Sequence, residues 1–389
     1  MAIRINPKFI DDLDRFGAED VQLCYQCGDC SAICAHSDEI FTFPRKSMRR
    51  LQMGLERKIE TTLEPWLCYY CGQCSDLCPR EADPGETMMS LRRWLISRYD
   101  FTGIARQFYK SKASEIIYVI GIALLTGLFL FYYGFSRGDF HVYDGKEAFL
   151  PSPFIHAFDL MIGSLMVFFL AINAFRMWYF TMIKGVTIKI PWWLYVKHLF
   201  TLPWHFFTQQ RYASCETSDK SKLYMPWIVH LGLMLGYVIM LVLVMGFIEQ
   251  FQYGPEGPEI NWGVHIFGYL ATIGLSTGII YFILNRLNKK KYIQYKKTHS
   301  TDWVFIILLL LIVVTGIVQH ILHRMGINMW ANIIYVVHLI FVVPWLLRMP
   351  FSKWAHLVYR PLAMYLAAVQ RDVKVKQEAL SKSLFISVK

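Results

Sequence analysis

Six long apolar segments follow a polar N-terminal region in this chain. They cover residues 115–135, 154–175, 226–248, 263–284, 303–322 and 331–349. Each is close to the roughly 20 residues that a helix needs to cross a bilayer. The pattern predicts an all-α protein with a polar N-terminal domain (1–110), a domain of six transmembrane helices (111–360) and a C-terminal tail (361–389).

Positive charge is concentrated in two of the loops between these segments. Thirteen Lys and Arg residues occur in loops 176–224 and 285–302, against three on the opposite side, Arg137, Lys146 and Arg324. Because cytoplasmic loops carry the excess of Lys and Arg, we expect the N-terminal domain and the tail to lie in the cytoplasm, below the inner membrane. The net charge of +11 is then a topology signal, and nucleic-acid binding is not predicted.

Two local features of the chain refine this topology. The N-terminus runs into polar sequence without an apolar h-region, so no cleavable signal peptide is expected. The segment 190–212 mixes Trp and Phe with Lys197, His198 and Arg211, broken by Pro191 and Pro203. Such a mixture is typical of a stretch that lies on the membrane surface.

A run of eleven residues with four cysteines occurs twice in the N-terminal domain. Residues 24–34 read CYQCGDCSAIC, and residues 68–78 read CYYCGQCSDLC. The C-x2-C-x2-C-x3-C spacing is typical of 4Fe–4S cluster ligation. It is a poor framework for disulfides, and zinc sites usually separate two cysteine pairs. All eight cysteines are therefore predicted cluster ligands, whereas the ninth, Cys215, has no assigned role.

The distribution of these cysteines over two clusters has two solutions. In two-cluster proteins of this spacing, the fourth cysteine of each run ligates the other cluster. One cluster would then bind Cys24, Cys27, Cys30 and Cys78. The second would bind Cys68, Cys71, Cys74 and Cys34. Local ligation, in which each run holds its own cluster, is the alternative.

Histidines in the apolar segments are candidate haem ligands. His338 and His356 are 18 residues apart, or about five helical turns, so one helix would present both on the same side. His230 lies on the cytoplasmic side at the level of His356, and Gly232 and Gly236 would leave room for a macrocycle. Since neutral imidazole is a regular haem ligand, the pattern predicts two b-type haems, one near each membrane surface.

The outer side of the membrane offers several candidate residues. His338 could share a haem with His265, which we favour, with His320 or with His156. Asp159 follows His156 by three residues, on one helix face near the outer surface. The two side chains are candidates for a quinone protonation site, and a structural carboxylate–histidine pair is the alternative interpretation.

At these residues the chain resembles two known families. The motif Cys24-Tyr25-Gln26-Cys27-Gly28 and its repeat resemble the small iron–sulfur subunit of heterodisulfide reductase, which implies a helical ferredoxin fold with two 4Fe–4S clusters. The stretch from His338 through Pro350-Phe351-Ser352-Lys353 to His356 is similar to the gamma subunit of respiratory nitrate reductase, a dihaem cytochrome b. His230 resembles a haem ligand of that family, whose second ligand on the same helix is replaced here by Met240.

The two parts together resemble the membrane subunit of the quinone-interacting membrane-bound oxidoreductase of sulfate reducers. This resemblance implies menaquinone as membrane substrate and cytoplasmic flavin and iron–sulfur partners related to heterodisulfide reductase. It also implies adenylylsulfate reductase as the downstream acceptor. We therefore expect an electron-transfer subunit that links menaquinone, two b haems and two 4Fe–4S clusters. The alternatives are a heterodisulfide reductase-type subunit with another acceptor, and a non-redox membrane anchor.

Overall fold

The computed structural model describes residues 4–137, 149–186, 189–213, 225–247, 261–289, 295 and 297–386. These residues form helices and no strands, which confirms the predicted all-α class. Parts of the charged loops that predict the topology lie outside the described residues, as does Cys215.

The N-terminal domain consists of short helices packed around one long helix. The helices are α1 (Phe9–Asp14), α2 (Asp29–Ala32), α3 (Arg45–Gln52), α4 (Glu56–Glu60), α5 (Glu64–Leu67), α6 (Gln73–Asp76), α7 (Pro84–Tyr99) and α8 (Ile104–Lys110). Helix α7 begins with Pro84, and Asp83 caps it by accepting a hydrogen bond from the Glu86 N–H. Nearly all of its side chains are buried, so α7 forms the centre of the domain.

Seven long helices and three short ones form the described residues of the second part of the chain. The remaining helices are α9 (Lys112–Phe135), α10 (Ser152–Trp178), α11 (Trp192–Lys197), α12 (Thr201–Thr208), α13 (Gln210–Ala213), α14 (Met225–Gly246), α15 (Trp262–Asn288), α16 (Ser300–Arg324), α17 (Asn328–Arg348) and α18 (His356–Ile386). A π-helical stretch, Tyr179–Lys184, continues α10. Helices α9, α10 and α14–α17 are long and apolar enough to cross a membrane, which confirms the six predicted spans.

Helices α11 and α12 lie beside the bundle with aromatic side chains on their open side. Trp192 and Phe200 are 76% and 71% exposed, whereas Leu194 is buried. The Tyr195 carbonyl accepts a hydrogen bond from the Tyr365 hydroxyl of α18 at 3.0 Å. The segment is attached to α18 on one side and exposes aromatic side chains on the other. This arrangement supports the prediction that the segment lies on the membrane surface.

Glycines bring α14 and α15 into close contact. A Cβ atom at Gly274 would lie 2.6 Å from the Gly232 carbonyl oxygen, and one at Gly236 would lie 2.9 Å from the Ala271 carbonyl oxygen. Small residues at such spacing allow helix backbones to approach in a membrane. Gly236 therefore faces the neighbouring helix, and the expectation that it leaves room for a haem is wrong. A Cβ atom at Gly232 would meet no atom within 4 Å, so the expectation for Gly232 stays a prediction.

His338 and His356 do not lie on one continuous helix. Helix α17 ends at Arg348, and two 3₁₀ turns, Met349–Phe351 and Lys353–Ala355, separate it from α18. Pro350 disfavours continuation of the α-helix because it lacks the N–H group and its ring clashes with the preceding turn. The prediction of a single helix is wrong, and His356 instead begins a new helix.

Helix α18 joins the membrane bundle to the N-terminal domain. The ring of Tyr359 packs on Trp66 with 5.1 Å between ring centres, and Arg371 forms an ion pair with Asp38. Side chains up to Val373 are buried in this contact. The predicted boundary at residue 360 thus falls inside a helix, and the residues that follow it pack against the cluster domain.

A lysine outside the spans makes a second connection between the two parts. The Lys297 ammonium lies 2.8 Å from Asp20 and 2.9 Å from Asp83. Asp83 also accepts a hydrogen bond from the Ser75 hydroxyl at 2.5 Å, and Ser75 follows the cluster-motif residue Cys74. The membrane part therefore contacts the N-terminal domain next to the second cysteine run.

A buried ion pair where α9, α16 and α17 meet provides a test of this packing. Arg348 pairs with Glu115 and donates to the Thr301 carbonyl at 2.7 Å, and both charged side chains are at most 1% exposed. We expect Arg348→Leu to lower the free energy of unfolding by about 3–5 kcal/mol, because it leaves a buried carboxylate unpaired. Denaturant unfolding in detergent measures this change.

The matched control for this test removes both charges. The double variant Arg348→Leu/Glu115→Leu should recover most of the lost stability, since the buried carboxylate is gone as well. If the double variant is as unstable as the single one, the loss comes from packing and not from an unpaired charge.

Candidate cluster and haem sites

The two cysteine runs fold in the same way. A glycine at the start of a short helix has a left-handed backbone in each run, with φ of +105° at Gly28 and +95° at Gly72. Residues with a Cβ atom are strained in this conformation. The turns place Cys30 in α2 and Cys74 in α6, directly after the loop that carries the first two cysteines of each run.

The eight thiols divide into two groups, and each group draws on both runs. One group lines a small cavity and consists of Cys34, Cys68, Cys71 and Cys74. The other consists of Cys24, Cys27, Cys30 and Cys78. Each group thus contains the fourth cysteine of the other run, which is the arrangement that cross-ligation requires.

Burial makes these thiols poor acids unless a metal binds them. It raises the pKa of Cys30 to about 11, and neighbouring thiols add to the increase. Burial likewise raises the pKa of Cys34 to about 11. Such thiols are protonated at neutral pH, whereas metal coordination removes the proton. No three His, Cys, Asp or Glu side chains in the described part are close enough to hold a single ion, and a cubane cluster keeps its thiolates farther apart.

The two thiol groups differ in exposure. Cys27 of the first group is exposed, whereas Cys68 and Cys74 of the second are buried. The Gln26 amide lies 3.6 Å from the Cys24 sulfur, and the Tyr70 N–H donates to the Cys68 sulfur at 3.3 Å. Hydrogen bonds to sulfur and solvent exposure both tune cluster potentials. The first group therefore lies nearer the protein surface than the second.

His230 and His356 face each other across a second cavity, of about 200 Å³. Their ring centres are 6.0 Å apart. Each ring uses Nδ1 in a polar contact, His230 with the Gln209 side chain at 2.7 Å and His356 with the Lys353 carbonyl at 2.6 Å. Nε2 of each ring is therefore the nitrogen available to a metal, and the separation of the ring centres is compatible with one metal atom between them at metal–nitrogen distances of about 2 Å.

The surroundings of this histidine pair suit a neutral ligand and an apolar macrocycle. Burial, with a smaller contribution from His230, lowers the pKa of His356 well below its usual range, so its imidazole is neutral. Leu233, Ile279 and Phe282 are among the apolar side chains that line the cavity. The predicted pair of His230 and His356 is thus brought together, and the donor set fits a haem iron with two imidazole ligands.

The histidine cavity borders the second thiol group. Tyr69 and Tyr70, which separate Cys68 from Cys71, line both cavities. The Arg360 guanidinium stacks on Tyr69 at 3.7 Å and donates to the Cys68 carbonyl at 2.9 Å. Arg360 is absent from the residues predicted from the sequence, although its position four residues after His356 places it on the same helix face.

Aromatic rings also connect the two sites. The rings of Tyr69 and Tyr212 stack with 5.9 Å between centres, and Tyr212 contacts His230 edge-on at 5.8 Å. Tyr212 is likewise absent from the predicted site residues. It lies on α13, far in sequence from the two cysteine runs, so no local pattern could indicate this contact.

The histidines predicted to hold the second haem lie at the other end of the bundle. The rings of His265 and His320, which were alternative partners for His338, lie beside each other at 5.9 Å. His338 contacts α16, where its Nδ1 lies 3.0 Å from the Thr315 hydroxyl and its ring packs against Gly316. A second haem at His338 with His265 or His320 stays a prediction.

The predicted quinone residues lie on α10. His156 and Asp159 are both half-buried, and His156 Nδ1 has no hydrogen-bond partner among the described residues. Ile155 and Phe158, between and beside them, are buried in an apolar cluster with α17. A role of this pair in quinone chemistry stays a prediction.

Comparison with known proteins identifies the class of the N-terminal region. A family model described as a 4Fe–4S dicluster domain matches residues 23–83. These residues include both cysteine runs, so the N-terminal region is an iron–sulfur domain that binds two clusters. It is joined to six helices suited to span a membrane, which indicates a multi-pass membrane protein.

Two curated relatives, both described as heterodisulfide reductase proteins of the C type, are similar to this region. The C-like protein of Archaeoglobus profundus is 30% identical over 112 residues, which are 28% of this chain and 60% of the relative. The C-type iron–sulfur subunit of the CoB–CoM heterodisulfide reductase of Methanopyrus kandleri is 36% identical over 84 residues, or 20% of this chain and 44% of the relative. The chain thus spans about half the length of these relatives. No solved structure matches.

Proposed function

We propose that this chain is the membrane electron-transfer subunit of a quinone-dependent oxidoreductase complex. It would pass electrons from menaquinol through two b haems and two 4Fe–4S clusters to cytoplasmic flavin and iron–sulfur subunits related to heterodisulfide reductase. The main support is that Tyr69 and Tyr70 line both the His230–His356 cavity and the cavity of the Cys34, Cys68, Cys71 and Cys74 thiols.

In this proposal the chain's own residues hold and order the cofactors. The bound clusters and haems supply one-electron redox chemistry. His230 and His356 hold one haem, and His338 with His265 or His320 holds the other. The buried thiol group lies beside the first of these sites, and the exposed group with Cys27 lies at the protein surface. Electrons would thus leave the membrane through the interior cluster and reach partners through the surface cluster.

Quinol oxidation releases two electrons and two protons for each quinone formed. His156 and Asp159 are proposed to accept these protons, because an unpartnered imidazole nitrogen and a carboxylate lie one helical turn apart on α10. Menaquinone as substrate, adenylylsulfate reductase as downstream acceptor and cytoplasmic placement of the cluster domain belong to the same proposal. The basic loops support that placement.

Optical spectroscopy of the purified full-length protein tests the proposal. We expect the reduced-minus-oxidised spectrum to show b-type haem bands, and a menaquinol analogue to reduce both haem and clusters. Absence of haem bands would refute the relay and favour a non-redox membrane anchor. Haem that a quinol cannot reduce would refute the quinone site alone.

A further inference from the structure

The His230–His356 cavity has more cationic than anionic side chains in its walls. Its charged lining residues are Arg92, Arg93, Arg286, Asp302, Lys353 and Arg360. Arg93 pairs with Glu86 at 2.7 Å, and Lys353 pairs with Asp302 at 2.9 Å. Among the described residues, Arg92, Arg286 and Arg360 form no ion pair with a carboxylate, although Asp302 is near enough to Arg286 for an electrostatic interaction. Buried charge without a counter-charge is costly, so the cavity favours an anionic occupant.

Two of these arginines also have unused hydrogen-bond donors. The Nε atoms of Arg286 and Arg360 are buried and have no hydrogen-bond partner in the described part of the chain. His205, which lines the same cavity, has an unpartnered buried Nδ1. A buried donor without an acceptor costs free energy. Hydrogen-bond acceptors on a bound group would satisfy these nitrogens.

The Arg92 guanidinium forms hydrogen bonds within the cluster domain. Its guanidinium donates to the Cys68 carbonyl and, at 2.6 Å, to the Pro65 carbonyl. Burial, followed by the nearby charge of Arg360, lowers the pKa of Arg92 to about 9. This leaves Arg286 and Arg360 as the cations available to a ligand in the cavity.

We propose that Arg286 and Arg360 bind the two propionate carboxylates of the haem held by His230 and His356. This inference rests on the proposed function, because it requires that haem. Arg360 lies one helical turn after His356, so it faces the same side of α18 as the ligand. Arg286 extends from α15, whose Phe282 ring lies against His230 at 6.3 Å. Guanidinium groups match the geometry of carboxylates and form strong charge-assisted hydrogen bonds.

The assignment gives the haem an orientation. Its carboxylate edge would face the cluster domain, because Arg360 also donates to the Cys68 carbonyl and stacks on Tyr69. Its apolar edge would face Leu233 and Ile279. Arg360 would then contact both a haem carboxylate and the backbone of a cluster ligand.

Haem dimethyl ester, which has the same ring but no carboxylates, tests the assignment. Full-length haem-free protein in detergent is titrated with haem or with the ester, and low-spin bis-histidine absorbance reports binding. Parallel titrations of His356→Ala isolate the contribution of the other site. At the His230–His356 site we expect haem to bind about tenfold or more tightly than the ester. The double variant Arg286→Gln/Arg360→Gln should bind haem more weakly and bind the ester as the unmodified protein does, so that the preference for haem is lost.

The titration has one control variant and two results that would contradict the proposal. Arg371→Gln, also on α18 but paired with Asp38 outside the cavity, should keep the preference for haem. Equal binding of haem and ester by the unmodified protein would overturn the arginine assignment and leave the proposed function intact. If neither compound gives a low-spin spectrum, both the arginine assignment and the proposed function are wrong. The failure of the assignment can therefore be told apart from the failure of the proposed function even if the double variant does not fold.

Discussion

His356→Ala should halve the haem content of the purified protein and leave one low-spin haem in place. The reason is that a bis-imidazole haem loses its low-spin coordination when one ligand is removed, whereas the other proposed site lies on different residues. Haem-to-protein ratio and the reduced-minus-oxidised spectrum measure the change. His230→Ala should remove the same haem, because the two rings face each other at 6.0 Å.

Comparison of the two variants makes this prediction specific. If His230→Ala and His356→Ala remove spectroscopically different haems, the two side chains do not share one iron. His198→Ala is a matched control, because His198 contacts Asp372 at 3.0 Å outside the cavity and should leave both haems bound. Retention of both haems in His356→Ala would contradict the ligand assignment.

The second large effect concerns the fourth cysteine of each run. We expect Cys78→Ser to perturb the cluster of Cys24, Cys27 and Cys30, and Cys34→Ser to perturb the cluster of Cys68, Cys71 and Cys74. The physical reason is the grouping of thiols in the fold, where Cys34 lines the cavity of the second run. Electron paramagnetic resonance of the reduced full-length protein, with quantified spins, resolves the loss or conversion of one cluster.

Two reference variants tell cross-ligation from local ligation. Under cross-ligation, the spectrum of Cys78→Ser resembles that of Cys27→Ser, and the spectrum of Cys34→Ser resembles that of Cys71→Ser. Local ligation reverses these similarities, since Cys78 would then share a cluster with Cys71. The comparison needs no prior assignment of either signal, because each pair of variants defines its own cluster.

The parts of the fold that could be predicted are those that depend on local composition. Each membrane span is a predominantly apolar stretch of bilayer length, so it can be recognised without knowledge of its neighbours. The cysteine spacing likewise carries its own ligand geometry. The break between α17 and α18 was missed, although Pro350 marks it, because the regular spacing of His338 and His356 suggested one helix.

The rest of the candidate site depends on contacts between distant residues. In the sequence, Gly236 could equally leave room for a ligand or allow a close helix contact, and only the position of Ala271 on α15 shows that it allows the contact. The neighbourhood of Tyr212, Tyr69 and Arg360 joins three regions far apart in sequence. Nor does sequence alone show that Glu86 and Asp302 form ion pairs with two cavity cations, whereas Arg286 and Arg360 form none among the described residues.

Helix α18 begins at His356 and extends along the cluster domain to the ion pair of Arg371 with Asp38. A helix transmits displacement along its axis, so movement of its outer end also moves the histidine ring at its start. If a partner docks on the cluster domain as proposed, the interior thiol group and His356 would shift together, and the gap between them would change little. In the proposed relay, the electron-transfer distance inside the chain would then stay nearly constant while partners bind and leave.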